Sequence, residues 1–281
     1  MIRRPPRSTL SSSSAASDVY KRQTSGTSNA GTANLSTDNG GRTINMTDSA
    51  SGGYTITGGT GTDTLTGGTG NDIISGGNDV DIIVGGTGND VITGGAGNDN
   101  LTGSAGNDTF NVDSGTDAVA DLGGAGSGGE SDVLVVSSGA TANATGIKSF
   151  TATSSTRNDG TANLTSTSGG STINVSASAA GLYTLTGGSG VDNLTGGSGN
   201  DIFRLTLGSG YDKIRIIDPS KALIKKFNES FAIPKTYRYE SASYENVKFF
   251  VTSEKEIFLK KVKFWFEINK EIRLVNLRSN V

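Results

Sequence analysis

The sequence contains neither cysteine nor histidine, and it is poor in proline and in aromatic residues. Without cysteine it can form no disulfide bonds, and without either residue the usual zinc and copper ligands are missing. The absence of histidine also excludes the common catalytic triads that use it as a base. No apolar run approaches the roughly 18 residues of a transmembrane helix, so no membrane span is expected.

Glycine is abundant instead, at 42 of 281 residues. Ordering a glycine costs more backbone entropy than ordering any other residue. Hydrophobic residues make up only 33% of the chain, too little apolar surface to offset that cost alone. The composition therefore predicts that a bound ligand supplies part of the folding free energy.

The net charge of −3 combines three regions of opposite character. Residues 24–211 hold 17 acidic residues against 4 Lys/Arg, a net charge of −13, whereas residues 1–23 carry +4 and 212–281 carry +6. All glycines lie at or before Gly210, and most aromatic residues lie in 225–281. The acidic, glycine-rich middle is the informative part of the chain.

The two ends set the expected boundaries of that middle part. Residues 1–23 lack the apolar core of a signal peptide, and they resemble translated sequencing-adapter sequence. Residues 24–73 align without gaps on 153–202 with 32 of 50 positions identical, and the match begins at Thr24. The tail 225–281 has two interpretations, which are a capping or export domain and a join to foreign sequence.

Six consecutive nine-residue units run from Gly58 to Asn111 with the pattern G-G-x-G-x-D-x-U-x, in which U is a large apolar residue. Two more begin at Gly187 and Gly196. Such an internal period is the signature of a solenoid or tandem array. The units resemble the RTX (repeats-in-toxin) or haemolysin-type calcium-binding repeat. That resemblance implies an all-β fold, a right-handed parallel β-roll or β-solenoid, with Ca2+ bound in its turns.

Within each unit, the glycines suit a turn that needs positive φ angles and close backbone approach. The last three residues form a short strand whose central side chain points inward. Two turns and two strands complete a coil of 18 residues, so units two apart stack on one edge. The inward residues are expected to be Leu65, Ile74, Ile83, Ile92, Leu101, Phe110, Leu194 and Phe203.

Stacked aspartates repel one another unless a cation lies between them, and calcium accepts six to eight oxygen ligands in flexible geometry. The resemblance implies that each ion takes backbone carbonyls from two stacked turns and a carboxylate from each. The carboxylates are Asp63, Asp72, Asp81, Asp90, Asp99 and Asp108, with Asp192 and Asp201 in the later units. The turn glycines are Gly58, Gly67, Gly76, Gly85 and Gly94 at the first position, Gly59, Gly68, Gly77, Gly86 and Gly95 at the second, and Gly61, Gly70, Gly88, Gly97 and Gly106 at the fourth.

The stacking rule predicts about four complete sites in the first block, each formed by two aspartates 18 residues apart. These pairs are Asp63 with Asp81, Asp72 with Asp90, Asp81 with Asp99, and Asp90 with Asp108. The alternative for every aspartate is a solvated turn residue with no ion.

Some units depart from the pattern. Asp79 replaces a fourth-position glycine, which either loosens the sites it shares or adds a ligand, and Ser104 replaces a second-position glycine. The two later units face opposite edges, so Asp192 and Asp201 lack partners in phase. A degenerate unit around Asp212 could supply one.

The chain thus divides into six expected segments. They are a non-native segment 1–23, a β-rich spacer 24–57, the calcium-binding β-roll 58–111, a second spacer 112–186, a shorter repeat block 187–224 and the tail 225–281. The spacers are expected to continue the solenoid without calcium turns, with a disordered linker as the alternative.

No motif indicates catalysis. The G-x-G-x-x-G match at Gly124, Gly126 and Gly129 is followed by no helical pattern, so a dinucleotide site is not expected. The expected partners are calcium ions and an unidentified cell-surface or matrix component, with no nucleic acid.

Two functions remain open for a chain without catalytic motifs. One is a calcium-binding structural module of a larger secreted or cell-surface bacterial protein, adhesin-like or surface-layer-like, that folds outside the cell. The other is the C-terminal secretion and folding domain of an exported hydrolase or toxin. The resemblance implies type I secretion and an extracellular or cell-surface location in a Gram-negative-type bacterium.

Overall fold

The computed structural model describes residues 40–48, 52–124, 131–179 and 181–205, together with seven separate strands before and after them. Throughout these described residues the chain forms strands and turns and no helix. No helix there is long and apolar enough to cross a membrane. Asp212 lies outside the described residues, as does most of the tail 225–281.

The strands are short and follow one another closely. In chain order they are β1 (Tyr20–Arg22), β2 (Ala33–Ser36), β3 (Thr43–Asn45), β4 (Tyr54–Thr57), β5 (Thr64–Thr69), β6 (Ile73–Asn78), β7 (Ile82–Thr87), β8 (Val91–Ala96), β9 (Asn100–Ala105), β10 (Thr109–Val112), β11 (Thr116–Ala120), β12 (Val133–Val136), β13 (Thr141–Ile147), β14 (Ser149–Thr151), β15 (Arg157–Asn158), β16 (Thr161–Ser166), β17 (Thr172–Asn174), β18 (Leu182–Thr186), β19 (Asn193–Thr195), β20 (Ile202–Leu205), β21 (Lys213–Arg215), β22 (Leu223–Phe227), β23 (Lys248–Phe250), β24 (Lys263–Ile268) and β25 (Glu271–Asn276).

These strands build an all-β, parallel β-solenoid of about eight coils. One face is a twelve-stranded sheet in the order β1, β3, β5, β7, β9, β11, β13, β16, β18, β20, β22, β23. The other face is a seven-stranded sheet (β15, β12, β10, β8, β6, β4, β2) and a four-stranded sheet (β14, β17, β19, β21). Only β24 and β25 pair antiparallel among the described strands. The parallel solenoid expected from the repeat is confirmed.

The register within the repeat is 18 residues, as the paired units predict. Leu65 lies beside Ile83 on one face, and Ile74 lies beside Ile92 on the other. Every inward residue expected from the sequence is at most 1% exposed. These side chains form one continuous apolar column, because each coil is too thin to hold a core of its own.

The coils lengthen beyond the regular units. Phe110 pairs with Leu134, so this coil contains an insertion between Ala120 and Ser131. The segment 112–186 nevertheless supplies strands to the same two faces, with Leu164 beside Leu185 in the large sheet. The solenoid therefore runs through the spacer and into the second repeat block.

Candidate metal centre

The repeat aspartates join successive coils through their Oδ1 atoms. In each case the backbone N–H of one aspartate donates to Oδ1 of the aspartate one coil later. The distances are 2.7 Å for Asp63 to Asp81, 2.7 Å for Asp72 to Asp90, 2.8 Å for Asp81 to Asp99 and 2.8 Å for Asp90 to Asp108. The structure thus brings together all four aspartate pairs expected from the sequence.

In four of these aspartates the second carboxylate oxygen is buried and has no hydrogen-bond partner. The six aspartates of the first block are at most 1% exposed. Oδ2 has no hydrogen-bond partner in Asp72, Asp81, Asp90 or Asp99. A buried ionised carboxylate without a partner is strongly destabilising, so the folded chain needs a positively charged group next to these oxygen atoms.

The first glycine of each unit lies beside the unpaired carboxylate oxygen, where a cation would need space. A Cβ placed on Gly85 would overlap Asp90 Oδ2 and lie 2.9 Å from the carbonyl oxygen of Gly103, one coil later. Gly67 and Gly76 have the same surroundings. A carboxylate oxygen and a carbonyl oxygen from two different coils therefore converge at the first glycine in these three units.

The second and fourth glycines serve the backbone conformation of the turn. Gly86 and Gly88, for example, have φ angles of 119° and 130°, which disfavour any residue with a Cβ. Positive φ also occurs at Gly68, Gly77 and Gly95 and at Gly61, Gly70, Gly97 and Gly106. Glycine thus provides space at the first position, and at the other two it provides both positive φ and close approach to the backbone of the preceding coil.

Burial raises the pKa of the stacked carboxyls of Asp72, Asp81, Asp90, Asp99 and Asp108. It raises the pKa of Asp72, Asp81 and Asp90 to about 6 and that of Asp108 to about 7, and a backbone hydrogen bond partly opposes each shift. Neighbouring aspartates add a further upward shift in Asp81, Asp90 and Asp108. At neutral pH the ionised stack is therefore destabilised unless a cation compensates its charge.

The donor set suits a hard cation that accepts many oxygens. Across the described residues, no three acidic side chains converge on one point. A metal ion here would combine two carboxylates with backbone carbonyl oxygens, which is a ligand set that calcium accepts. Metals that prefer thiolate or nitrogen ligands find no cysteine and no imidazole in this chain.

The two irregular units keep the turn at a conformational cost. Asp79 and Ser104 have φ angles of 71° and 77°, so each adopts the left-handed conformation of the glycine it replaces. The exposed Asp79 carboxylate accepts a hydrogen bond of 2.9 Å from the N–H of Gly61. Asp79 therefore supports the turn of the preceding coil from the solvent side.

Two aspartates of the same stacks lie beyond the regular units and were missed by sequence reasoning. Asp99 N–H donates to Asp117 Oδ1 at 3.0 Å, and Asp108 N–H donates to Asp132 Oδ1 at 2.8 Å. Both are at most 2% exposed. The signal for Asp117 was present, because Gly115, Asp117 and Val119 continue the nine-residue phase without the leading glycine pair.

In the second block the residues that donate to the aspartates are not aspartates themselves. Asp192 Oδ1 accepts from Ser171 N–H at 2.9 Å, and Asp201 Oδ1 accepts from Tyr183 N–H at 3.2 Å. Asp201 Oδ2 also accepts from Gly197 N–H at 2.7 Å. As expected from their opposite edges, the two aspartates lie next to strands of different sheets, β19 and β20. Neither is paired with an aspartate of the preceding coil.

Comparison with known proteins agrees with this geometry. The family model of the RTX calcium-binding nonapeptide repeat (4 copies) matches residues 57–92, 84–119 and 184–214. The second of these matches includes Asp117. No curated protein and no solved structure matches the chain.

Proposed function

We propose that this chain, which carries RTX calcium-binding nonapeptide repeats, is a structural module in which calcium binding and folding are one event. The observation that carries the proposal is the row of buried Oδ2 atoms without hydrogen-bond partners at Asp72, Asp81, Asp90 and Asp99. The ligands in the first block are the aspartates 63, 72, 81, 90, 99 and 108 and the carbonyl groups of the turn glycines.

The physical basis is the balance of charge along each edge of the solenoid. Without ions, like-charged carboxylates one coil apart repel one another, and the middle of the chain carries −13. A calcium ion between two carboxylates replaces that repulsion by attraction to both. Each interior aspartate, such as Asp81, serves the pair before it and the pair after it, so binding at one site favours folding of the next.

The RTX repeats support a role outside the cell, because such repeats are typical of secreted bacterial proteins. Extracellular calcium modules work at Kd values of about 10⁻⁴–10⁻³ M. A chain with sites of this affinity remains unfolded where calcium is scarce and folds where it is plentiful. The duplication of residues 24–73 in 153–202 favours a repetitive secreted or cell-surface protein, adhesin-like or surface-layer-like, in which this module has a structural and non-catalytic role.

Circular dichroism of the full chain at pH 7.5 tests the proposal. We expect the β-sheet signal to rise cooperatively with millimolar calcium and to disappear when the ion is removed with a chelator. Magnesium at the same concentration is the control, because it demands a tighter octahedral geometry than stacked turns provide. A full β-sheet signal that persists in chelator at this pH would overturn the proposal.

A further inference from the structure

Three exposed asparagines form a second row of contacts between coils, outside the stacked aspartates. Asn71, Asn89 and Asn107 each precede a repeat aspartate, and together they are called the asparagine ladder. Asn89 N–H donates to Asn71 Oδ1 at 2.8 Å, and Asn107 N–H donates to Asn89 Oδ1 at 2.8 Å. The row continues past the insertion in the next coil, where Ser131 N–H donates to Asn107 Oδ1 at 2.6 Å.

The asparagine ladder runs in the opposite sense to the aspartate stack beside it. Asp72 N–H donates to Asp90 Oδ1 in the following coil, whereas Asn89 N–H donates to Asn71 Oδ1 in the preceding coil. Two Asn–Asp dipeptides thus exchange one hydrogen bond in each direction, and both bonds have ordinary N–H···O lengths. Such a reciprocal pair of bonds restrains the distance and the tilt between neighbouring turns more than either bond alone.

The opposite edge of the solenoid lacks this reciprocal pair at one step. Val80 occupies the position of a ladder asparagine, and its side chain offers no acceptor to the N–H of Asn98 in the following coil. One coil later, Thr116 N–H again donates to an asparagine, Asn98 Oδ1, at 2.8 Å. The step from Asp81 to Asp99 is therefore held by the aspartate bond without an amide bond beside it.

We propose that the asparagine ladder positions the ligand aspartates of its edge and sets their selectivity for ion size, and this inference rests on the proposed function. Selectivity between alkaline-earth ions depends on the size and the flexibility of the cavity that holds them. Turns joined in both directions resist the widening that a larger ion requires. The pairs Asp72–Asp90 and Asp90–Asp108 lie beside the ladder. They therefore discriminate between ions more strongly than the pair Asp81–Asp99.

Selectivity separates this role from a general contribution to stability. If the ladder only stabilised the fold, its removal would raise the folding midpoints of calcium and of the larger strontium ion by the same factor, because the lost free energy is common to both titrations. A positioning role instead predicts unequal shifts. The calcium midpoint rises more than the strontium midpoint, so the strontium-to-calcium ratio of midpoints falls.

Calcium and strontium titrations of the full chain at pH 7.5, followed by circular dichroism, test the proposal. N71A removes the acceptor for Asn89 N–H. It should raise the calcium midpoint about fivefold, the effect of one typical net hydrogen bond, and lower the strontium-to-calcium ratio. N100A is the matched control, because Asn100 is an exposed asparagine of β9 outside the ladder. It should keep both wild-type midpoints.

A second variant adds the amide that the opposite edge lacks. V80N supplies an acceptor for Asn98 N–H beside the pair Asp81–Asp99, so it should lower the calcium midpoint and raise the strontium-to-calcium ratio. V80T is its control. It also removes an apolar side chain that is 44% exposed, but it keeps the β-branched shape of valine and adds no amide. The ratio of V80T should stay at the wild-type value.

The outcomes separate this inference from the proposed function. A wild-type chain whose β-sheet signal does not respond to calcium would overturn the proposed function. If the wild-type chain responds and N71A keeps the wild-type strontium-to-calcium ratio, the role of the asparagine ladder alone is overturned. If N71A does not fold in saturating calcium, the comparison of V80N with V80T decides, and equal ratios in those two variants would overturn the inference.

Discussion

The N–H of Asp81 donates a hydrogen bond of 2.8 Å to Oδ1 of Asp99, and the N–H of Asn100 donates one of 2.9 Å back to the carbonyl of Asp81. Each coil is thus fastened to the next at the point where the chain leaves a turn and enters a strand. The carboxylate that makes this contact turns its other oxygen into a buried space without a partner. The repeat aspartate therefore sets the register between coils with one carboxylate oxygen and offers the other oxygen as a ligand for a cation.

Removing the charge of Asp81 should weaken two neighbouring sites. D81N keeps an acceptor for Asp63 N–H but no longer offers a carboxylate to the ions on either side. We expect the calcium concentration at the folding midpoint to rise about tenfold, since affinity follows the charge of the ligands. The measurement is a calcium titration followed by circular dichroism. D63N, which affects one pair, should shift the midpoint less, and the exposed D79N should leave it nearly unchanged.

Acid should partly replace calcium in the metal-free chain. The pKa values of Asp72, Asp81 and Asp90 are raised to about 6 and those of Asp108 and Asp117 to about 7. The folded state therefore binds protons more tightly than the unfolded state, so its stability is greatest below pH 4 and is lost as the pH rises through 6 to 7. In chelator, we expect more β-sheet signal at pH 4 than at pH 7.5. An increase of that signal with pH would contradict the burial of these carboxyls.

Space at the first glycine should be essential for ion binding. In G85A, the added methyl group would overlap Asp90 Oδ2 and approach the Gly103 carbonyl. The variant should need clearly more calcium to fold than the wild-type chain. G169A is the matched control, because nothing lies within 4 Å of a Cβ at Gly169. If the two variants had similar calcium midpoints, ion binding would not depend on the space beside the first glycine.

Two adjacent isoleucines should differ sharply in their contribution to stability. Ile83 is 0% exposed in the apolar column, whereas its neighbour Ile82 is 42% exposed. I83A should lower the free energy of unfolding by about 2–5 kcal/mol because it leaves a cavity. I82A should lower it by less than about 1 kcal/mol. Denaturant unfolding in saturating calcium measures both, and equal losses would place the strand in the wrong register.

Much of this architecture could be predicted from the sequence because the repeat is regular. The nine-residue period predicts which residue of each unit points inward, and Ile74 and Ile92 are buried side by side as expected. It also predicts the pairing of aspartates 18 residues apart. Both consequences follow from one geometric rule, that two units complete a coil.

The remainder depended on residues outside that rule. Asp117 follows Val112 and Asp113 where glycines would have marked a unit, and Asp132 follows an insertion that lengthens its coil. Such an insertion hides the register, because a loop of any length can return the chain to the same edge. In the second block, burial raises the pKa of the Asp192 carboxyl, while hydrogen bonds from Ser171, Ser166 and Gly188 oppose that shift. No local sequence pattern predicts that those serines contact Asp192.

The hydrogen bonds that the stacked aspartates accept between coils run in one sense, from the N–H of an earlier turn to the carboxylate of a later one. A stack built in this way has two chemically different ends. One end presents carboxylate acceptors, and the other presents backbone N–H donors. Two identical ends offer no donor–acceptor pair of this kind, so the aspartate stack can be continued only head to tail, and the direction of the chain becomes a physical polarity of the stack.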